Sequence, residues 1–141
     1  MAISNQSFIR ILVVDDLAAW RRCLIEKLRA EGHLQVVAVA TDGLEAIRKA
    51  EKLQPDLILL NVGLPRLDGI RAAREIRKVA PDSTILFLSQ ELDPTIAGGA
   101  LSAGGHGYVV KSATVSDLAP AMQAVMHGET FLSPRLLDRK S

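Results

Sequence analysis

Polar side chains follow four of the apolar runs in this sequence, at the points where those runs end. Asp15 and Asp16 follow the first run, Asn61 the third, Ser89 the fourth and Lys111 the fifth. Carboxylate oxygens suit Mg²⁺, a lysine supplies a positive charge for a phosphoryl group, and a hydroxyl can donate to a phosphoryl oxygen. If these runs are strands of one sheet, the residues predict a site for a phosphoryl group and a divalent cation.

The apolar runs are typical of parallel strands that are buried on both faces, and segments of helical character separate them. The predicted strands are 9–14, 34–40, 56–60, 84–88 and 106–110. The predicted helices are 17–30, 44–53, 66–79, 94–103 and 115–127. This alternation predicts an α/β fold, a doubly wound five-stranded parallel sheet with five helices on its two faces.

In such a sheet all the carboxyl ends lie on one edge, so the polar residues that follow the strands can converge in one crevice. Each residue alone has an ordinary explanation: an acidic pair caps a helix, a serine belongs to a turn, and a lysine is a solvated surface charge. Their joint occurrence on successive strand ends favours a site over four separate coincidences.

Two details of the helices can also be read from spacing. Trp20, Leu24 and Leu28 recur at helical intervals and are predicted to form the core face of the first helix. Thr114 and Asp117 have the spacing of a capping box at the start of the last one.

Composition narrows the classes of protein that remain. The 141 residues suit one domain, and 17 basic against 16 acidic residues argue against an electrostatic grip on nucleic acid. The single Cys23 permits no internal disulfide and no cysteine zinc site. No apolar run approaches about 20 residues and the N-terminus lacks an apolar signal core, so we expect a cytoplasmic protein with no membrane contact.

The stretch 56–65 and the polar strand ends resemble the receiver domains of bacterial response regulators. That family has an acidic pair after strand one, an acceptor aspartate after strand three, Thr or Ser after strand four and Lys after strand five. Asp68-Gly69 and Gly107-Tyr108 are also family-like, and the resemblance covers residues 8–130. Asn61 is the departure, because it stands where the family has its phosphoacceptor aspartate.

The resemblance implies a flavodoxin-like fold and a set of roles. Asp16, the side chain at position 61 and the Gly63 carbonyl would bind Mg²⁺, with Asp15 helping through water. Lys111 and Ser89 would act on the phosphoryl group. Ser89 and Tyr108 would form the switch. A sensor histidine kinase would be the donor, and a homodimer is a possible product of switching.

Within the family, the segment 128–134 and the residues around Lys111 are similar to the LuxR/NarL (FixJ) class. Proteins of that class regulate transcription through a C-terminal helix-turn-helix domain. We expect a disordered lead at 1–8, a receiver domain at 9–130 and a linker or tail at 131–141. We expect no output domain within these 141 residues. An excised receiver and a stand-alone one remain equally open.

Asn61 changes the expected chemistry. A carboxamide carries no negative charge and its nitrogen lone pair is delocalised, so it cannot form an acyl phosphate. We therefore expect no phosphorylation at position 61 and weaker Mg²⁺ binding, since one carboxylate is lost. Whether Asn61 is an altered residue or belongs to a naturally degenerate receiver stays open.

Two alternatives remain beside a receiver of a two-component phosphorelay. One is a phosphorylation-independent pseudo-receiver that binds a partner or dimerises constitutively. The other is a small α/β phosphatase with Asp15 as nucleophile. Against the phosphatase, no histidine is predicted at a strand's carboxyl end to serve as a base, and no glycine-rich phosphate loop is present. We therefore expect a signalling protein and not an enzyme.

Overall fold

A computed structural model describes residues 8–137 of the chain, and strands and helices alternate through them. The strands are β1 (Ile9–Val14), β2 (Leu34–Ala40), β3 (Leu57–Leu60), β4 (Thr84–Ser89), β5 (Gly107–Val110) and β6 (Phe131–Leu132). The helices are α1 (Ala18–Arg29), α2 (Gly43–Leu53), α3 (Gly69–Val79), α4 (Pro94–Ser102), α5 (Thr114–Met126) and α6 (Pro134–Leu137). A 3₁₀ turn at Lys111–Ala113 connects β5 to α5.

The six strands form one parallel sheet in the order β2-β1-β3-β4-β5-β6. The predicted doubly wound α/β architecture is confirmed, but the count of five strands and five helices was one short of each. The additional strand and helix come from 131–137, which lie in the segment predicted to be a linker or tail. A two-residue strand is too short to show a period, and β6 forms because backbone bonds from Phe131 and Ser133 attach it to β5.

Alternate residues of the buried strands point to opposite faces of the sheet and build two apolar layers. Ile11 and Val13 face α1 and α5, whereas Leu12 and Val14 face α2, α3 and α4. β3 is buried along its whole length. Because each fully buried aliphatic side chain contributes about 1.5 to 3 kcal/mol, the central strands supply much of the stability that positions their ends.

Three helices on one face begin at aspartates whose carboxylates accept a backbone N–H. Asp42 caps α2, Asp68 caps α3 and Asp93 caps α4, with N–O distances of 2.8, 3.0 and 2.9 Å. The cap at Asp68 explains why α3 begins at Gly69 and not at the predicted Arg66, whose φ of 70° is left-handed and not helical.

The predicted capping box at Thr114 and Asp117 is wrong. The α5 helix begins without a side-chain cap, and Thr114 Oγ1 donates instead to the Lys111 carbonyl at 2.7 Å. Asp117 is buried and turned toward Ser133, at a distance of 2.8 Å.

The predicted disordered lead lies outside the described residues except for Phe8, which is exposed. The last four positions of the predicted tail, 138–141, also lie outside them. Within the described range, no helix combines the length and the apolar character needed to cross a membrane.

Candidate functional site

The order of the strands reverses at β1, which lies between β2 and β3. In a doubly wound sheet the crevice beyond the carboxyl ends at this point is where ligands bind. Asp15 and Asn61 are the first residues after β1 and β3. The Asp15 N–H donates to the Ala40 carbonyl and the Asn61 N–H to the Val14 carbonyl, at 3.0 and 3.1 Å. The sheet therefore fixes the backbone that carries both side chains.

Asp15 and Lys111 meet at this edge. The Lys111 Nζ lies 2.7 Å from Asp15 Oδ2, and both side chains are buried. The contact is an ion pair without hydrogen-bond alignment, because the Nζ finds no aligned acceptor among the described residues. The other carboxylate oxygen, Oδ1, accepts the Leu17 N–H at 2.9 Å. This geometry holds one positive charge inside the crevice, where it is screened little by water.

The Asn61 side chain is buried and bonded within its own loop. Its Nδ2 donates to the Gly63 carbonyl at 3.0 Å. Gly63 itself is exposed, and so is Asp16, which takes part in no hydrogen bond or ion pair with another described residue. Of the predicted metal ligands, Asp15 and Asn61 are therefore engaged inside the protein, while Asp16 faces solvent.

The two predicted switch residues both bond to the loop that follows β4. Ser89 Oγ accepts the Glu91 N–H at 3.1 Å, and the Tyr108 hydroxyl donates to the Glu91 carbonyl at 3.0 Å. Both side chains are buried, and the Tyr108 ring packs against Phe87 with 6.2 Å between centroids. Burial raises the pKa of Tyr108, so the hydroxyl stays protonated as the donor. The Tyr108 side chain is therefore enclosed in the interior of the protein.

Two residues of α1 contact the side chains or backbone of the site, although their spacing did not predict it. Trp20 was predicted to lie in the core with Leu24 and Leu28, but only the two leucines are buried. The Trp20 ring instead covers Lys111, with 5.0 Å between Nζ and the ring centroid. Arg21 donates from Nη1 to the Asp15 carbonyl at 2.8 Å. Trp20 and Arg21 follow the acidic pair by about one helical turn, and this short separation in the sequence could have indicated that they lie near the site.

The segment after α5 is attached to the strand that leads into Lys111. Ser133 is fully buried; its Oγ accepts the Val110 N–H at 3.0 Å and donates to Asp117 at 2.8 Å. Its own N–H donates to the Tyr108 carbonyl at 2.9 Å. Ser133 therefore connects β5, α5 and the C-terminal segment through one side chain and one backbone group.

The crevice contains oxygen atoms of the kind that Mg²⁺ binds in proteins. Within residues 8–137, no three His, Cys, Asp or Glu side chains cluster closely enough to hold a metal. The oxygens available at the crevice come from the carboxylates of Asp15 and Asp16, the amide of Asn61 and the carbonyl of Gly63. Two of these oxygens are already in contact with a nitrogen: Asp15 Oδ2 with Lys111 Nζ, and the Gly63 carbonyl with Asn61 Nδ2. A bound cation would have to compete with both contacts.

Similar proteins are known from both sequence and structure. The response regulator receiver domain family matches residues 11–123. Among curated relatives, the transcriptional regulatory protein DegU of Brevibacillus brevis is 30% identical over 132 residues, covering 94% of this chain and 56% of DegU. The response regulator protein VraR of Staphylococcus aureus is 33% identical over 129 residues, covering 92% of this chain and 62% of VraR. The chain thus spans little more than half the length of these relatives.

Solved structures give the same picture. A two-component response regulator of the LuxR family from Aurantimonas superposes with a TM-score of 0.88 at 32% identity, covering 93% of this chain and 94% of that one. The signal receiver domain of the putative response regulator NarL from Mycobacterium tuberculosis superposes with a TM-score of 0.82 at 28% identity. That match covers 87% of this chain and 99% of the other.

Proposed function

This chain belongs to the response regulator receiver domain family, and we propose that it is a receiver module that does not accept a phosphoryl group at position 61. The observation that carries the proposal is the identity and setting of Asn61. It is the buried first residue after β3, and its amide donates to the Gly63 carbonyl. A neutral amide in this position offers no nucleophilic oxygen for an acyl phosphate.

The rest of the crevice supports a receiver whose other parts are intact. Lys111 is positioned by Asp15 and covered by Trp20, so a positive charge is available to stabilise negative charge that develops on a transferring phosphoryl group. Ser89 supplies a buried hydroxyl at the end of β4. In the Asn61→Asp variant, a carboxylate would join these groups, and a phosphohistidine of a sensor kinase would be the natural donor.

Magnesium is part of this proposal. Asp15, Asp16, the Asn61 side chain and the Gly63 carbonyl would hold it, and it would supply a positive charge opposite the phosphoryl oxygens. Binding by the chain as it stands should be weak, because one carboxylate is replaced by an amide. We also propose that the whole protein to which this receiver belongs controls transcription. The proposal rests on the transcriptional regulatory protein DegU and the response regulator VraR, of whose length this chain covers 56% and 62%.

One observation favours a second candidate, a module that binds its partner or a second copy without phosphorylation. Tyr108 is the residue expected to rotate inward on switching, yet it is fully buried and bonded to the Glu91 carbonyl with Asn61 in place. A receiver whose switch residue is already inward would present one surface permanently.

The deciding experiment is phosphoryl incorporation by intact mass. The chain and its Asn61→Asp variant are treated with acetyl phosphate and Mg²⁺, with an Asn61→Asp/Lys111→Met variant as the control for pocket chemistry. We expect a single phosphoryl adduct on Asn61→Asp, much less on the double variant and none on the chain itself. An adduct that maps to Asn61 in the unmodified chain would refute the proposal. If Asn61→Asp also stays unmodified, the phosphorylation-independent candidate becomes the better one.

A further inference from the structure

A pocket of about 540 Å³ opens beside Lys111, and Asn61 is not among the residues that line it. It lies between the start of α1, the loop after β4 and the C-terminal segment. Its apolar walls are Leu17, Trp20, Leu92 and Val110, and its cations are Lys111 and Arg135. Among the described residues that line it there is no aspartate or glutamate. The lining therefore combines an apolar wall with positive charge.

The positive charge of this pocket comes mainly from Arg135. Lys111 is compensated by the Asp15 carboxylate at 2.7 Å, which approaches it from inside the crevice. Arg135 is exposed and donates from Nη1 to Ser112 Oγ at 3.1 Å. Within the described part of the chain, no carboxylate lies within ion-pair distance of Arg135. Its guanidinium is therefore held beside the pocket by a neutral hydrogen-bond acceptor, and a guanidinium is a group that binds carboxylates and phosphates.

The apolar wall is open to a ligand at the mouth of the pocket. Leu17 is 47% exposed and lines the pocket together with the Trp20 side chain. Covering apolar surface that faces water is favourable, so an apolar group of a ligand would gain from packing here. A flat apolar group fits these walls.

We propose that this pocket binds a small amphipathic anion, a flat apolar body that carries a carboxylate or phosphate head. The body packs against Trp20 and Leu17, and the head is bound by the Arg135 guanidinium. Asn61 does not line the pocket, so the proposed ligand does not occupy the phosphoacceptor position itself. The ligand would lie between Lys111 of the crevice and Arg135 of α6, so it would link the crevice to the segment that follows β6.

Trp20 is the single tryptophan of the chain, so its fluorescence reports directly on this pocket. The probes are phenylbutyrate for a carboxylate head, phenyl phosphate for a phosphate head and phenylbutanol as the neutral counterpart. We expect a saturable change in Trp20 emission with at least one anion. Phenylbutanol should bind at least about fivefold more weakly than that anion, because charge-assisted hydrogen bonds are stronger than neutral ones. Comparing the two anions identifies the preferred head.

Matched variants test the assignment of the head to Arg135. Arg135→Gln should weaken anion binding about fivefold. Arg74→Gln removes the same charge from an exposed position on α3, which contributes no residue to the pocket, and should leave binding unchanged.

Three results would overturn the proposal. One is that phenylbutanol binds as tightly as the anions, and another is that Arg74→Gln weakens binding as much as Arg135→Gln. The third is that neither Trp20 emission nor the amide NMR resonances of Val110 and Ser112 respond to the anions. Each measurement is made without a phosphodonor, so its outcome does not depend on the phosphorylation test.

Discussion

Lys111 and Asp15 form a buried ion pair that joins the loops after β5 and β1, with 2.7 Å between Nζ and Oδ2. The two strands are separated in the sheet by β3 and β4. The pair therefore spans the edge of the sheet at which Asn61 and Ser89 also lie. It keeps the Lys111 ammonium in a site where a neutral residue, Asn61, stands at the phosphoacceptor position.

This pair should contribute to stability in a non-additive way. Removing one member of a buried pair leaves the other charge uncompensated, so Lys111→Met and Asp15→Asn should each lower the free energy of unfolding by about 3 kcal/mol. The double variant should lose clearly less than the sum, as urea denaturation would measure. Lys78→Met is the control, because its pair with Glu75 is exposed and should contribute under about 1 kcal/mol. Additive losses would contradict a direct Lys111–Asp15 interaction.

Asn61→Asp should destabilise the protein in the absence of divalent cations. The new carboxylate loses the Asn61–Gly63 bond and adds a negative charge to a buried crevice that already holds Asp15. Two carboxylates about 4 Å apart repel by up to about 4 kcal/mol at an effective dielectric near 20. Melting in EDTA should be lowered, and Mg²⁺ should raise it more for the variant than for the unmodified chain. Gln123→Glu, which places a charge at an exposed position of α5, should show neither effect.

Glu45 should make stability depend on acid pH. A hydrogen-bonded ion pair with Lys49 at 2.9 Å and the Thr41 N–H at 2.8 Å lower the pKa of Glu45 to about 2. A carboxyl whose pKa is lower in the folded state stabilises it at neutral pH, and this contribution is lost as pH falls from about 4.5 toward 2. Its side chain is about a quarter exposed, so Glu45→Gln should cost about 1 kcal/mol at pH 7.

The measurement is the difference in unfolding free energy between the two proteins from pH 7 to pH 3. That difference should shrink as the pH falls below about 4.5. In a Lys49→Met background it should be smaller at every pH, because the main cause of the lowered pKa is gone. A difference that stays constant with pH would argue against the assignment.

Two glycines should respond to alanine in opposite directions. A Cβ at Gly69 would collide with the backbone carbonyl of Asn61, because the start of α3 packs directly on the loop after β3. Gly69→Ala should lower stability by about 2 to 3 kcal/mol. Gly98 lies on an exposed face of α4 with open space around it, so Gly98→Ala should raise stability by up to about 1 kcal/mol. Equal melting temperatures for the two variants would contradict this packing.

The strands and the residues at their ends could be predicted because each depends on local pattern. β3 is an uninterrupted apolar run, and Asn61 follows it in the chain whatever the rest of the fold does. Trp20 could not be placed in the same way, since helical spacing predicts which side it lies on and not that Lys111 would lie beneath the ring. The distinction depends on a residue 91 positions away in the sequence.

Asp117 shows the same limit. Its spacing from Thr114 is that of a capping box, but a buried hydroxyl 16 residues later competes for the carboxylate and is bound instead. The short β6 strand depends on the same tertiary contacts. Features with a local cause were therefore accessible from sequence, and features decided by a distant partner were not.

The attachment of Ser133 to β5 has a mechanical consequence. Because β6 and β5 are parallel, tension on the chain after Ser133 acts along the strands and loads the bonds to Tyr108 and Val110 together, in shear. Bonds loaded side by side resist more force than bonds that open one after another. Lys111 directly follows Val110. A pulling force on the chain after Ser133 is therefore transmitted first to β5, the strand that leads into the lysine of the crevice.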